Sequence, residues 1–296
     1  MAQVANTLAG LTLAQIAQRS LDALLPDLLP LKAFAADFSD EIAEKGGSVT
    51  TRYAPKVASN DLSTGWGNNK SNSQDTAVTV TLSTTPGYVI GFTDFQVSTI
   101  GIKQLETLFL EPARNAVNTG VMSTILALVT PGNFPNSSTI ASPSADAISS
   151  LAAACDLSYM KKMGRYLLMH TNFNATLSQD TAIQAIYASG SGLALRENQV
   201  GRLSEFDTYK YTEVPGANNL VAIAASPDAL IIAARQPAVP YAPQMQVENV
   251  TDPETGLGLQ YRMWYDTDNS QLCLGVGLIF GAAVGNPGQL RRVVSA

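Results

Sequence analysis

Apolar and polar residues alternate with a period of two on either side of one long polar stretch. The segments VTTRYAPKV (49–57) and AVTVTL (77–82) carry the spacing of half-buried strands, one outgoing and one returning. Between them the chain is rich in Ser, Asn and Gly with no helical period. The pattern therefore predicts a projecting hairpin with GWGNNKS (65–71) at or near its tip. Elsewhere the period lengthens. Leu8, Leu11, Ile16, Leu21, Leu24 and Leu25 fall at roughly helical spacing before Pro26, which predicts an amphipathic N-terminal arm. In 102–129, Leu105, Leu108, Ala113, Val117, Val121, Ile125 and Leu128 keep a helical spacing that Pro112 interrupts. A short helix that breaks there and a longer one with Pro112 in its first turn reconcile the two.

The second half mixes both periods. Ser144 or Asp146 caps a helix running to residue 154, and RYLLMH (165–170) reads as a strand. Short helices over 172–187 and strands at 201–211 and 219–224 follow. Ser226-Pro227-Asp228 then has the composition of a helix start, so ALIIAAR (229–235) is expected to be helical. Near the C-terminus Leu259, Tyr261, Met263 and Tyr265 point one way. After the turn DTDNS (266–270), Leu272, Leu274, Val276, Leu278 and Phe280 share a face, completing a long antiparallel hairpin.

Composition narrows the class. The 296 residues are 46% hydrophobic and only 14% charged, so the chain is globular with little charge to solvate its whole surface, and partners are expected to cover part of it. Its 18 basic and 24 acidic residues leave a net charge of −6, which excludes wholesale phosphate neutralisation; nucleic acid is at most enclosed, not gripped. Cys155 and Cys273 lack metal or redox spacing and read as packed thiols. The N-terminus lacks the pattern of a secretory signal. The longest apolar stretch, 272–285, is too short and glycine-rich to span a bilayer, so synthesis in the cytoplasm without a membrane partner is expected.

Candidate chemistry fails on inspection. GWGNNKS resembles a phosphate loop, but Asn69 replaces the glycine needed before Lys70, and a strand rather than a helix follows. Any hydrolytic triad must use His170, the one histidine, with Ser191 in Gly190-Ser191-Gly192 as nucleophile; no strand-elbow motif supports it. Asp266-Thr267-Asp268 opens like a calcium loop, yet Gln271 and Gly277 occupy the positions of its glycine and bidentate glutamate. GVGLIFG (275–281) has too little chain after it for a dinucleotide unit. Asp37, Asp40, Glu41 and Glu44 have no His or Cys beside them and read as a solvated or partner-facing patch. No enzyme, cofactor or metal is expected; binding or assembly is the leading class.

The order of elements, with VGRLSEFDTYKYTEVP (200–215), ASPDALIIAARQP (225–237) and GLGLQYRMWYDTDNSQLCLGVGLIFGAAVGNP (256–287), resembles the major capsid proteins of tailed bacteriophages with the HK97-type fold. Glu205-Phe206 departs from that family's Gly-Phe. The resemblance implies an α+β capsid fold: an N-terminal arm (1–45), an extended E-loop (46–91), a peripheral domain with a long spine helix (92–140), an axial domain (141–240) and return strands (241–296). It also implies a coat protein that forms hexamers and pentamers of an icosahedral shell, assembled in the host cytoplasm and carried in the virion. Scaffolding, portal and decoration proteins would be its partners, and DNA would be enclosed without sequence-specific binding. Trp66, Asn68, Asn69 and Lys70 would contact a neighbouring subunit from the E-loop tip, and Leu21, Leu24 and Leu25 a neighbour or scaffold from the arm. An encapsulin-type nanocompartment shares the fold and is the alternative.

Overall fold

The computed structural model describes residues 13, 16–18, 34–38, 47–53, 61, 63, 76–99, 102–183, 202–214, 217–238, 245–251 and 257–296. In chain order the first half contains β1 (Ala35–Phe38), β2 (Ser48–Tyr53), β3 (Thr76–Thr81), β4 (Gly87–Thr93), α1 (Asp94–Thr99), α2 (Ile102–Leu126), β5 (Ser137–Thr139) and α3 (Ala145–Leu157). The second half contains β6 (Tyr166–His170), α4 (Thr171–Ser178), β7 (Arg202–Leu203), β8 (Phe206–Tyr211), β9 (Leu220–Ala225), β10 (Leu230–Arg235), β11 (Gln246–Thr251), β12 (Gly258–Asp266), β13 (Gln271–Gly277), β14 (Ile279–Val284) and β15 (Leu290–Val294). Two compact units result: Met1–Gly47, Leu82–Ala127 and Ile232–Gly281 in one; Ser48–Thr81, Leu128–Ile231 and Ala282–Ala296 in the other.

The first unit is built on an antiparallel sheet of order β11-β12-β13-β4. Its register places Phe92, Leu272 and Tyr265 in one cross-strand row and Tyr88, Val276 and Tyr261 in another. Side chains two apart share a face, so these rows make one apolar surface. The Tyr88 ring lies 6.1 Å from that of Phe109 on α2. Along α2, Phe109, Ala113, Val117, Val121 and Ile125 recur every fourth residue and are all buried. A side chain at Gly120 would come within 2.8 Å of the Pro86 ring, so glycine lets helix and strand approach closely.

The break expected at Pro112 does not occur: one helix runs through it from Ile102 to Leu126. Proline removes one helical bond and leaves the carbonyl four residues back, that of Leu108, without its donor. Leu108 is 47% exposed, so water can reach this side of the helix, while the buried stripe on the other side holds the two halves in line.

The second unit centres on a sheet of order β5-β15-β9-β6-β8-β7. At its middle β6 runs parallel to β8 and antiparallel to β9, and Tyr166, Leu167, Leu168 and Met169 are all buried, as the continuous apolar run YLLM requires. Ile148, Leu151 and Cys155 of α3 pack with Leu167, Met169, Phe206, Ala222, Ala224 and Val293 in one core. The Ser144 side chain caps α3 by accepting from the Ala147 N–H, as the sequence anticipates, and Asp180 accepts from Ala145 N at 2.6 Å. The polar hairpin appears at its base as β2 and β3, paired from Ser48 opposite Thr81 to Tyr53 opposite Thr76.

Four further expectations are corrected. ALIIAAR is not a helix: a 3-10 turn at Pro227–Ala229 leads into β10, buried at all six positions and flanked by β1 and β14. A short apolar run is ambiguous by period alone, and neighbouring strands on both sides decide it. Ser226, expected to cap that helix, instead donates its hydroxyl to Gln289 Oε1 at 3.0 Å. The expected single strand over 201–211 is the hairpin β7–β8, turning through Ser204 (φ 46°) and Glu205 (φ 73°). Glu205 thus occupies the left-handed conformation that a glycine would adopt without strain. Leu278 and Phe280 keep the face of Leu274 and Val276, as expected, and are buried with them. β13 ends at Gly277, yet the same register runs on beyond it: Leu278 N donates to Pro86 O at 3.2 Å, and Phe280 exchanges both backbone bonds with Thr84. Finally, β15, which the sequence reading leaves undistinguished within 241–296, pairs with β9 and β5 in the second unit.

Replacement of Phe109 by Ala should destabilise the protein by about 3–5 kcal/mol, the usual cost of emptying a buried aromatic site. Leu108→Ala, one residue away on the wet side, should cost about 0.5 kcal/mol. Urea unfolding followed by circular dichroism distinguishes them, and equal midpoints would contradict the assignment of the two helix faces.

Candidate functional site

The feature of the second unit that most needs explanation is the connection from α3 to β6, LSYMKKMGR (157–165). The helix closes through Ser158 N to Ala154 O, Tyr159 N to Asp156 O and Met160 N to Cys155 O, with Tyr159 left-handed at φ 57°. Met160 turns back into the core. Leu157, Tyr159 and Met163 do the opposite and are 83%, 70% and 89% exposed. Three large apolar side chains are thus exposed on one short connection.

The connection is held rigidly by polar groups. Arg165 has no solvent access; its guanidinium donates to Asp156 Oδ1 at 2.7 Å, Glu205 Oε2 at 3.3 Å, Met160 O at 2.6 Å and Lys161 O at 2.8 Å. Gln289 accepts from Lys161 N (2.8 Å) and donates to Tyr159 O (3.3 Å). Arg291 donates to Ala154 O at 3.1 Å and Ser158 Oγ at 2.5 Å. Lys161 pairs with Asp228, and Lys162 lies 3.2 Å from Asp156 and 3.8 Å from Glu205.

Burial pushes the Cys155 thiol above its ordinary range despite the nearby Arg291 and Arg165, and burial raises the Tyr166 phenol well above its own. A groove of about 400 Å³ beside α3, lined by residues including Ser138, Ile140, Ser150 and Leu151, has no His, Cys or carboxylate among the described residues of its wall.

His170 is structural: it caps α4, its Nδ1 accepting from Asn172 N at 3.1 Å. Ser191, Trp66, Asn68, Asn69 and Lys70 lie outside the described residues, as do Leu21, Leu24 and Leu25. The DTDNS segment is a hairpin turn whose Asp266 carboxylate accepts from Asp268 N (3.0 Å) and Asn269 Nδ2 (2.7 Å), so its own backbone and neighbour use it. Among the described residues no cluster of His, Cys, Asp or Glu could hold a metal, and no helix is long and apolar enough to cross a membrane. Sequence reasoning misses Leu157, Tyr159 and Met163. The available signal is an apolar and cationic run directly after a helix and ending in Gly164, whose φ is +72°.

No protein-family model matches the sequence, and no curated protein does. Solved structures do. The fold is similar to the capsid structure of the cyanophage P-SCSP1u at a TM-score of 0.60 and 11% identity, covering 89% of this chain and 86% of that one. A structure of Mycobacterium phage Che8 follows at 0.54 and 14%, covering 84% and 85%. The mature capsid of bacteriophage PhiM1 matches at 0.53 and 10%, covering 89% and 86%. The chain thus has the mixed α+β fold of bacteriophage capsid structures, at identities where only the fold is common.

Arg165→Met should destabilise the second unit by about 2–4 kcal/mol, since several charge-assisted bonds are lost together. Thermal melting checks this. The Asp156 carboxyl is held below the ordinary carboxylate range, first by the Arg165 hydrogen bond and then by that of Lys162. Its contribution is therefore complete above the ordinary value of about 4 and is lost as pH falls through the lowered one. Asp156→Asn should lower the melting temperature at neutral pH, and the deficit should vanish in acid. A deficit independent of pH would contradict the pairing.

Proposed function

We propose that this chain is the major capsid protein of a tailed bacteriophage, of the HK97 type, and that it self-assembles into hexamers and pentamers of an icosahedral shell enclosing phage DNA. The observation that carries this reading is the likeness to bacteriophage capsid structures over most of the chain. In this reading α2 is the spine helix of the peripheral domain, and β2 and β3 are the base of the E-loop. The unit built on the six-stranded sheet is the axial domain.

Assembly is then the mechanism. A ring closes when one surface of each copy meets a different surface of the next. The rigid display of Leu157, Tyr159 and Met163 provides one such surface on the axial domain. Trp66, Asn68, Asn69 and Lys70 at the E-loop tip and Leu21, Leu24 and Leu25 on the arm provide others, the arm facing a neighbour or a scaffolding protein. Portal and decoration proteins complete the particle, which assembles in the host cytoplasm. A net charge of −6 suits a wall that must not trap DNA during packaging.

Purified protein should form rings or closed shells in sedimentation and negative-stain microscopy. A monomer at every concentration and salt condition would overturn the reading, and shells carrying protein cargo in place of DNA would favour a nanocompartment. Leu157→Ser with Met163→Ser should leave the melting temperature within about 1 °C, because these side chains are already in water; assembly should fall at least about tenfold, the loss of two apolar contacts. Assembly at the parent level would remove this loop from the interface. Lys56 and Lys70 are the E-loop lysines available for covalent linkage, but no carboxylate is assignable to deprotonate them, so the shell is held non-covalently. Boiled particles should run as a single band near 31.2 kDa on a denaturing gel; a ladder of multimers would contradict this.

A further inference from the structure

Every open sheet has two edge strands, and in the first unit these are β11 and β4. Edges normally carry charge, proline or a bulge that prevents pairing with another chain. β11 (QVENVT) carries Glu248. β4 is seven residues long, GYVIGFT, and carries no charge.

The hydrogen-bond phase of β4 follows from its register. Leu278 N donates to Pro86 O, which makes Pro86 and Leu278 a bonded pair, and the register continues with Gly87 opposite Gly277 and Tyr88 opposite Val276. Bonded and non-bonded pairs alternate in an antiparallel ladder. Tyr88, Ile90 and Phe92 therefore turn their backbone groups towards β13, whereas Gly87, Val89, Gly91 and Thr93 turn theirs outward. Thr93 N–H is taken by Gln96 Oε1 at 3.0 Å. Among the described residues, the outward groups of Gly87, Val89 and Gly91 bond to nothing. Pro86 sits at an inward position and guards none of them. Val89 is 60% exposed, and its side chain and the Trp264 ring both lie 3.3 Å from where a Cβ on Gly275 would be.

We infer that this edge pairs antiparallel with the same edge of a second copy, across a two-fold axis through Val89. The sequence around Val89 reads nearly the same in both directions, Gly-Tyr-Val-Ile-Gly. In the two-fold register Val89 faces the partner subunit's Val89, and Gly87 faces the partner subunit's Gly91. Valine meets valine between pairs of glycines, so no side chain collides there. On the opposite face Tyr88 meets the partner subunit's Ile90, an aromatic and β-branched pair of the kind that stabilises sheets. Charge points the same way. Two copies of a chain with net charge −6 repel over most of their surfaces, and this edge lets them meet without burying a charge. Asp94, just past the strand, falls opposite the partner subunit's Thr84 and not another acid. A strand of different sequence would have no reason to match this symmetry. The pairing rests on the shell reading only for the setting in which many copies meet.

Val89→Cys tests it, because Cys155 and Cys273 are both buried and stay silent. Directly opposed bonded residues have Cα atoms about 5.5 Å apart, within disulfide reach. Mild oxidation of assembled particles should give a reducible dimer on a non-reducing gel, with Asp268→Cys, in the exposed turn, giving none. Val89→Lys, which places a charge on each side of the axis, should fold with an unchanged melting temperature and lose at least tenfold in assembly. A Val89→Cys protein that does not cross-link overturns the pairing, whether Val89→Lys assembles normally or is blocked by some other occupant of the edge. If no particles form, the shell reading fails separately. Cross-linked dimers of the unassembled subunit would then still support the pairing, and their absence would overturn it.

Discussion

A guanidinium without access to water must have its donors filled by the protein, and Arg165 meets that condition at one point in the second unit. It joins the end of α3 through Asp156, the following connection through Met160 O and Lys161 O, and the β7–β8 turn through Glu205. Arg165 itself immediately precedes β6, the central strand of the sheet. Removing the charge would leave those carbonyls without donors, while the two carboxylates keep partial contact with water. The left-handed backbone at Glu205, unfavourable for a residue with a side chain, is offset because it delivers a carboxylate to that guanidinium.

The frame also fixes the connection that it ties down. Leu157, Tyr159 and Met163 are exposed on a connection whose backbone and polar groups are tied by Arg165, Gln289 and Arg291. The first unit reaches a comparable exposure differently, by leaving an uncharged strand edge unpaired. Both features leave apolar or uncharged groups exposed in a chain with few charges.

The local periodicities determined several elements directly. Alternation in 77–82 specifies β3, the Ser144 side chain and the apolar period specify α3, and the unbroken run YLLM specifies a strand buried on both faces. The capsid resemblance was also legible from the order of these elements. Tertiary structure alone decided that LIIAAR is a strand, because only flanking strands can supply its backbone partners, and that α2 continues through Pro112, because one of its faces is buried and the other is wet. It also decided the polar frame around Arg165. Its partners lie as far as 40 residues along the chain, and Gln289 meets Lys161 across 128. Sequence pattern records what a segment can do alone, whereas a buried charge is satisfied by groups that only the folded chain brings within hydrogen-bond reach.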